Sequence, residues 1–139
     1  QQEYDVRKHE LKRFLEAQNV PYVEDEYDHH EWLSVIKGLE DEPERGSRCS
    51  VCFQFRLSHA AKYAQEHGFH LLTTTLASSR WKNIRQIDTA GHLAVEAYPD
   101  VEWWDMNWRK GGLQNRRGEL LRINEFYNQL YCGCEFSMR

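Results

Sequence analysis

The 139-residue sequence lacks several features that would place it in a specialised class. No apolar run approaches the roughly 20 residues that a membrane-spanning helix needs, so we expect no such helix. Internal repeats and low-complexity segments are absent as well. No secretory signal is visible, which predicts a cytoplasmic protein. The chain nevertheless opens at Gln1 without an initiator methionine, and we therefore expect further sequence upstream.

Cysteine is scarce, with only four in the chain, but the four form two close pairs. Cys49 and Cys52 make a Cys-x-x-Cys pair, and Cys132 and Cys134 make a Cys-x-Cys pair. A domain of this length does not need disulfides for stability, and secreted proteins are where disulfides persist. Without a secretory signal, the four thiols are better explained as metal ligands or redox groups than as two disulfides.

An excess of positive charge is also lacking, since the net charge is −4. The net charge therefore does not indicate a nucleic-acid-binding protein. The charges are unevenly distributed, however, because acidic residues crowd positions 24–31 and 40–44 while many arginines and lysines fall in the second half. Such a chain can hold a polyanion on one side. Its length and ordinary composition predict a single domain spanning residues 1–139.

Hydrophobic periodicity predicts helices alternating with short strands, which is typical of an α/β protein. Amphipathic spacing, capping residues and glycines predict helices over Glu3–Gln18, from Asp28 to Gly38, from Ser47 to Gly68, from Ser78 or Ser79 to Ala97, and over Glu119–Leu130. Phe69–Leu76 is a continuous apolar and β-branched run, the pattern of a strand buried on both faces. Val101–Asp105 and, more weakly, Tyr22–Tyr27 are further candidate strands.

The first cysteine pair falls in the first turn of the third predicted helix, where Cys49 and Cys52 share one face. Free amide groups and the positive end of the helix dipole favour a thiolate at this position, and Arg48 adds to the effect. A thiolate is the form that binds metal. The alternative is that both cysteines merely fill space in the core.

The second pair flanks a glycine near the end of the chain. In an extended segment Cys132 and Cys134 point to the same side, whereas Gly133 allows the backbone to turn and aim them at different targets. We expect the fold to bring both pairs to one place. The spacing leaves three possibilities open: an iron–sulfur cluster, which tolerates distant ligands, a structural zinc, or a redox pair at Cys49 and Cys52.

A polyanion site is predicted from two stretches of the second half. Arg80 and Lys82 lie at a strand–helix junction rich in serine and threonine, where backbone amides can bind phosphate. Trp108, Arg109 and Lys110 form a glycine-flanked aromatic and basic loop suited to a nucleotide. Ordinary strand threonines and a solvated basic loop are the alternative interpretation. Asp105, at the carboxyl end of a predicted strand, is a candidate ligand or proton donor.

These motifs occur together in an order that resembles the QueH-type epoxyqueuosine reductases. The residues that carry the resemblance are Glu3-Tyr4, Arg7, Glu10, Arg13, Glu42-Pro43-Glu44-Arg45-Gly46-Ser47-Arg48-Cys49-Ser50-Val51-Cys52, Arg56-Leu57, Thr73-Thr74-Thr75-Leu76, Trp108-Arg109-Lys110-Gly111-Gly112, Gln129, Tyr131-Cys132-Gly133-Cys134 and Phe136-Ser137. They cover nearly the whole chain, and their combination is specific.

The resemblance implies reduction of the epoxide of epoxyqueuosine at the wobble position of tRNA, the last step of queuosine synthesis, with electrons from an external donor. It also implies a [4Fe–4S] cluster with a mononuclear iron nearby, and Cys49, Cys52, Cys132 and Cys134 among their ligands. The implied fold is a Rossmann-like parallel sheet flanked by helices, as in the nucleotide α-hydrolase group. A non-catalytic RNA-binding domain stapled by a four-cysteine zinc site is the competing hypothesis.

The sequence departs from the family at one point. Family members carry an adjacent cysteine pair after their first strand, upstream of the segment that matches Glu3-Tyr4, and this sequence begins after that point. We expect the missing strand and pair in the preceding segment, so that the four thiols seen here are part of a larger ligand set.

Overall fold

A computed structural model describes residues 2–138 of the chain as an α/β protein. The helices are α1 (Gln2–Ala17), α2 (His29–Val35), α3 (Ser47–Glu66), α4 (Ile84–Val95) and α5 (Leu113–Ile123), and the strands are β1 (Leu71–Leu72) and β2 (Glu102–Trp103). Short 3₁₀ helices span Thr75–Ser78 and Glu135–Ser137. The chain divides into two compact units, one of Gln1–Tyr27 with Asn115–Arg139 and one of Asp28–Gln114. The single domain expected from length stays a prediction.

None of the helices within residues 2–138 combines the length and the apolar character that crossing a membrane requires.

In the first unit, α1 matches the predicted helix to within a residue at each end. Glu24, in the segment that follows, receives hydrogen bonds from Lys8 Nζ at 2.7 Å and lies 3.0 Å from Lys12 Nζ. These two hydrogen bonds lower the pKa of Glu24 to about 2. The Glu24 carboxylate is therefore ionised at neutral pH and fastens the extended segment onto α1. Residues 22–27 form no strand, so that weak prediction is wrong.

The core of the second unit lies between α3, α4 and the two strands. Its buried members are Phe53, Leu57 and Ala61 from α3, Ile87, Ala90 and Ala94 from α4, and Trp103 from β2. A side chain at Gly91 would overlap the Trp103 ring, so α4 approaches β2 as closely as it does only because position 91 has no Cβ. The small residues of α4 thus let a helix and a large indole pack together.

The sheet is parallel and much smaller than predicted: Leu71 pairs with Glu102, and Leu72 with Trp103. After Leu72 the chain turns into the 3₁₀ helix, whose cap is the Thr74 hydroxyl accepting from Leu76 N. The expectation of a strand buried on both faces over residues 69–76 is therefore wrong, since Leu71 is 56% exposed. Apolar, β-branched composition indicates strand propensity, but the number of paired residues depends on distant partners.

Helix starts follow local capping chemistry, although not always at the predicted residue. Asp28 caps α2 by accepting from Glu31 N at 2.8 Å, as predicted. The cap of α3 is Gly46 rather than Ser47, and that of α4 is Asn83 rather than Ser78 or Ser79. The last helix was also misplaced, because α5 ends at Ile123 and the chain has no helix or strand between it and the second cysteine pair.

Candidate metal centre

Cys49 and Cys52 lie at the start of α3, the predicted helix, although Cys52 falls in its second turn and not in the first as the sequence predicts. Both are half-buried, and neither forms a disulfide. The amide of Cys49 donates to Gly46 O at 3.1 Å, which starts the helix. The two sulfur atoms therefore stand at the amide-rich end of a 20-residue helix, where the dipole favours negative charge.

Each of the two sulfurs also accepts a hydrogen bond. Arg45 N donates to Cys49 Sγ at 3.3 Å, and the indole Nε1 of Trp32 donates to Cys52 Sγ at 3.4 Å. Such N–H···S bonds stabilise the thiolate that a metal requires. Neither donor is evident from the sequence, because Trp32 lies on α2 and reads there as an ordinary apolar core residue.

The loop that leads into α3 is held from inside by Arg48. This side chain is 2% exposed, and its Nη1 donates to the carbonyl oxygens of Leu39, Glu40 and Glu42. From the sequence, Arg48 is expected only to exert an electrostatic effect on the neighbouring thiols. The structure gives it a second role, because one buried guanidinium satisfies three backbone acceptors that the loop leaves without helix or sheet partners.

A carboxylate and a strained residue complete the turn. Ser47 N donates to Glu42 Oε2 at 3.0 Å, and a Cβ at Gly46 would crowd that same carboxylate. Arg45 adopts φ +67°, in the left-handed region that costs energy for a residue with a side chain. This conformation accompanies the approach of the Arg45 amide to Cys49 Sγ.

Helix α4 fixes the same turn from outside. Gln86 Nε2 lies 3.1 Å from Arg45 O, 3.0 Å from Gly46 O and 2.6 Å from Ser50 Oγ. Arg45 Nε in turn donates to Trp81 O at 2.9 Å. The segment that presents the first thiol pair is therefore bound to α4 and to the loop before it, and no sequence motif pointed to Gln86.

Some side chains of the predicted polyanion site form hydrogen bonds within the protein, and others are exposed. Trp108 Nε1 donates to Thr74 O at 3.0 Å, while Arg109 donates from Nε to Ala77 O and from Nη2 to Lys82 O, each at 3.0 Å. These bonds join the 107–109 segment to the 74–82 segment. The two basic stretches are therefore neighbours in the structure, and Trp108 and Arg109 use hydrogen-bond donors to hold them together. Binding of a polyanion there stays a prediction.

The remaining residues of that site face solvent or lie over aromatic rings. Arg80 and Lys110 are exposed, with the Arg80 guanidinium 5.1 Å from the centroid of the Trp81 ring. Lys82 Nζ lies 5.5 Å from the Phe53 ring centroid. Asp105 is exposed, two residues beyond β2. None of these positions contradicts the predicted contact with RNA, which stays a prediction.

The second thiol pair belongs to the other unit, where α1 holds it through Arg7. The Arg7 guanidinium donates to Tyr131 O at 2.8 Å and to Cys132 O at 2.9 Å, while Glu3 accepts from Arg7 Nε at 2.8 Å. Gly133 has φ +94°, and a Cβ there would lie 2.8 Å from Arg7 Nη1. The glycine is thus required both by its backbone angle and by the close guanidinium.

A second carboxylate–arginine pair on α1 holds the segment before these cysteines. Glu10 Oε2 accepts from Tyr127 N at 3.0 Å and from Arg13 Nη2 at 3.1 Å, and Arg13 also donates to Asn124 O. The hydrogen bond from Arg13 lowers the pKa of Glu10, which favours its charged form. The residues of α1 that carry the family resemblance therefore position the chain that ends in the Cys-x-Cys pair.

Neither unit, among its described residues, gathers three or more His, Cys, Asp or Glu side chains into a preformed metal site. Each unit contributes one pair of cysteines that form no disulfide: Cys49 and Cys52 in one, Cys132 and Cys134 in the other. The expected convergence of the four thiolates stays a prediction.

The described residues define an α/β protein whose longest helix opens with two unbridged, hydrogen-bonded thiols. A family model described as "Epoxyqueuosine reductase QueH" matches residues 1–139, and the chain belongs to this family. The resemblance read from the motifs is thereby confirmed.

Curated relatives that carry the name "Epoxyqueuosine reductase QueH" agree with this assignment. Over 137 residues, or 99% of this chain, the protein from Histophilus somni (strain 129Pt) is 49% identical and that from Acinetobacter baylyi (strain ATCC 33305 / BD413 / ADP1) is 47% identical. The Streptococcus pyogenes serotype M1 relative is 31% identical over the same share. The chain spans 56%, 63% and 50% of these three relatives.

Proposed function

We propose that the protein carrying this chain is an oxidoreductase that converts epoxyqueuosine to queuosine at the wobble position of tRNA, in the cytoplasm. The observation that carries the proposal is the pair of hydrogen-bonded cysteines without a disulfide at the start of α3, in a chain whose residues 1–139 match the epoxyqueuosine reductase family. The full fold that we propose is the Rossmann-like parallel sheet of the nucleotide α-hydrolase group, of which β1 and β2 form a part.

The donor set of the chain fits an iron–sulfur site. None of the four cysteines forms a disulfide, and the two on α3 accept hydrogen bonds from N–H donors that offset the negative charge of thiolates around a cluster. We propose Cys49, Cys52, Cys132 and Cys134 as ligands of a [4Fe–4S] cluster and a nearby mononuclear iron. Asp105 is proposed as a further ligand or proton donor, and it is accessible to substrate because it is exposed.

Removal of the epoxide oxygen as water consumes two electrons and two protons. The bound iron and cluster would supply Lewis acidity and pass electrons from an external donor. The residues of this chain then have to hold the ligands in place and bind the substrate. The first task falls to Arg48 and Gln86 in one unit and to Arg7 and Glu3 in the other, through the backbone contacts described above.

Substrate binding is proposed for the surface formed by Arg80, Lys82, Trp108, Arg109 and Lys110. Exposed cations meet the phosphate backbone, and a basic, glycine-flanked aromatic loop suits an unpaired anticodon nucleotide. Because Arg109 donors hold the backbone at Ala77 and Lys82, its role is to shape this surface as well as to add charge.

A metal and turnover assay on the intact native protein tests the proposal. After anaerobic reconstitution we expect bound iron and acid-labile sulfide, and conversion of epoxyqueuosine to queuosine in tRNA, read by nucleoside mass spectrometry. Cys49→Ser and Cys132→Ser should abolish conversion while far-ultraviolet circular dichroism stays near wild type. Ser58→Ala, on the same helix, is the matched control and should convert substrate normally.

The zinc-stapled RNA-binding domain makes opposite predictions for the same samples. A colourless, iron-free protein that contains zinc, with cysteine variants that unfold, would overturn the reductase proposal.

The RNA surface has its own test, because its phosphate contacts depend on salt. Arg80→Ala and Lys110→Ala should each weaken tRNA binding and reduce the slope of log affinity against log salt by about one. Lys62→Ala, an exposed lysine on α3 outside the proposed surface, is the control. Unchanged slopes for both variants would remove this surface from the interface.

A further inference from the structure

The hydrogen bond from Trp32 to Cys52 differs in kind from the one that reaches Cys49. Cys49 Sγ accepts from a backbone amide, that of Arg45, which every residue except proline would provide. Cys52 Sγ accepts from a side chain, the indole Nε1 of Trp32, at 3.4 Å. Only tryptophan places an N–H at that distance from the α2 backbone on a rigid bicyclic ring, so this donor depends on the identity of one residue.

The position of Trp32 is determined by α2 rather than by the thiol. Asp28 caps this short helix, and the His29 ring stacks on the Trp32 ring with centroids 5.7 Å apart and planes 23° from parallel. The indole is half-buried, in a position where its N–H needs an acceptor, and Cys52 Sγ provides one. The donor is therefore oriented by contacts of its own helix.

We propose that Trp32 tunes the electron-transfer properties of the metal site through Cys52, an inference that rests on the proposed function. An N–H donor withdraws electron density from a thiolate sulfur, which weakens its donation to iron. The more negative, reduced state gains most from this withdrawal, so hydrogen bonds to ligand sulfurs raise the reduction potential. Trp32 is a positioning and tuning residue: it reaches the metal only through the Cys52 sulfur.

A purely structural role gives a different expectation. If Cys52 does no more than satisfy the buried indole N–H, loss of that N–H changes stability and leaves the spectrum and the potential of the loaded protein unchanged. If Trp32 tunes the ligand, both of these properties shift at unchanged metal content.

The variant Trp32→Phe removes the N–H and retains an aromatic ring. In the reconstituted protein we expect a reduction potential shifted to more negative values in an electron paramagnetic resonance titration. The sulfur-to-iron charge-transfer absorption should move to longer wavelength, because the sulfur lone pairs lose the hydrogen bond that lowers their energy. Trp81→Phe is the matched control in the same unit, since Trp81 is 67% exposed and its hydrogen bond with Arg45 is made by the backbone carbonyl, which the substitution retains.

Replacement of Trp32 by 3-benzothienylalanine sharpens the test. This analogue keeps the bicyclic shape and exchanges only the N–H for sulfur, so it remains informative if Trp32→Phe fails to fold. A potential and spectrum identical to wild type in a loaded, folded 3-benzothienylalanine protein would overturn the proposal.

Failure of the proposed function is distinguishable from failure of this inference. A protein that binds no iron contradicts the function, and Co²⁺ then serves as the probe of thiolate ligation. Cobalt–thiolate bands that shift with the 3-benzothienylalanine replacement would support a tuning role for Trp32, and bands that do not involve Cys52 or do not shift would overturn it.

Discussion

Arg48→Met is the change that most directly tests how the loop leading into α3 is held. Methionine keeps the apolar volume of the buried side chain and removes the guanidinium that donates to Leu39 O, Glu40 O and Glu42 O. These carbonyls lie in a non-helical turn. Leu39 O keeps its hydrogen bond from Glu42 N at 3.1 Å, whereas loss of the guanidinium removes a donor from Glu40 O and Glu42 O. The turn should loosen, and with it the start of α3 at Cys49.

The magnitude follows from two opposing terms. Hydrogen bonds to a charged group contribute about 1.5–3 kcal/mol each. Nη1 has two hydrogens to share among the three carbonyls, so its hydrogen bonds contribute roughly 3–6 kcal/mol in total. Removing the buried guanidinium also removes its desolvation penalty, which is several kcal/mol for an ion in a protein interior. The half-buried carbonyls of Glu40 and Glu42 gain some hydration as the turn opens. We expect a net loss of about 1–3 kcal/mol in the free energy of unfolding.

Urea denaturation followed by tryptophan fluorescence measures this loss. All five tryptophans fall within Asp28–Gln114, so the signal reports on the unit that contains Arg48. With a urea slope of about 1–3 kcal/mol per molar, a loss of about 3 kcal/mol lowers the midpoint by roughly 1–3 M. Arg56→Met makes the same substitution at an exposed site of the same helix and should stay within about 0.5 kcal/mol of wild type. Equal midpoints for the two variants would refute the assigned role of Arg48.

Three further predictions concern glycines and one buried carboxyl. Gly91→Ala drives a Cβ into the Trp103 ring and should lower the free energy of unfolding by about 1–3 kcal/mol. Gly118→Ala, in an open helical position, should raise it by about 0.5–1 kcal/mol. Thermal melts that rank the two variants in the opposite order would contradict this. Gly133→Ala places a side chain at φ +94° and against Arg7, and should lower the amount of iron bound after anaerobic reconstitution. A full iron complement would show that metal binding does not require glycine at this position. Burial raises the pKa of Asp88, so its ionisation destabilises the folded state as pH rises through the interval above the ordinary value of 3.8. Asp88→Asn should therefore unfold at higher urea than wild type at pH 7 and at about the same urea near pH 3.5. A difference in urea midpoint that is the same at both pH values would exclude ionisation of the Asp88 carboxyl as its cause.

Local signals in the sequence account for the parts of the fold that were predicted well. The spacing of apolar residues and the Asp28 cap depend on neighbours within one or two helical turns, and α1, α2 and α3 lie close to their predicted bounds. Predictions failed where the outcome depends on a distant partner. The run at 69–76 has strand composition, but only Leu71 and Leu72 pair with β2. α5 begins and ends earlier than its apolar pattern indicates.

The sequence by itself determined the family, the two thiol pairs and the glycine between Cys132 and Cys134, because these are properties of residue type and order. The tertiary structure alone decided what surrounds the thiols. Arg48 points into the loop, Trp32 donates to a sulfur twenty positions along the chain, and Gln86 binds the turn from α4. The physical reason is that a hydrogen bond requires two groups within about 3.5 Å in the correct direction, a condition set by packing between helices and not by composition.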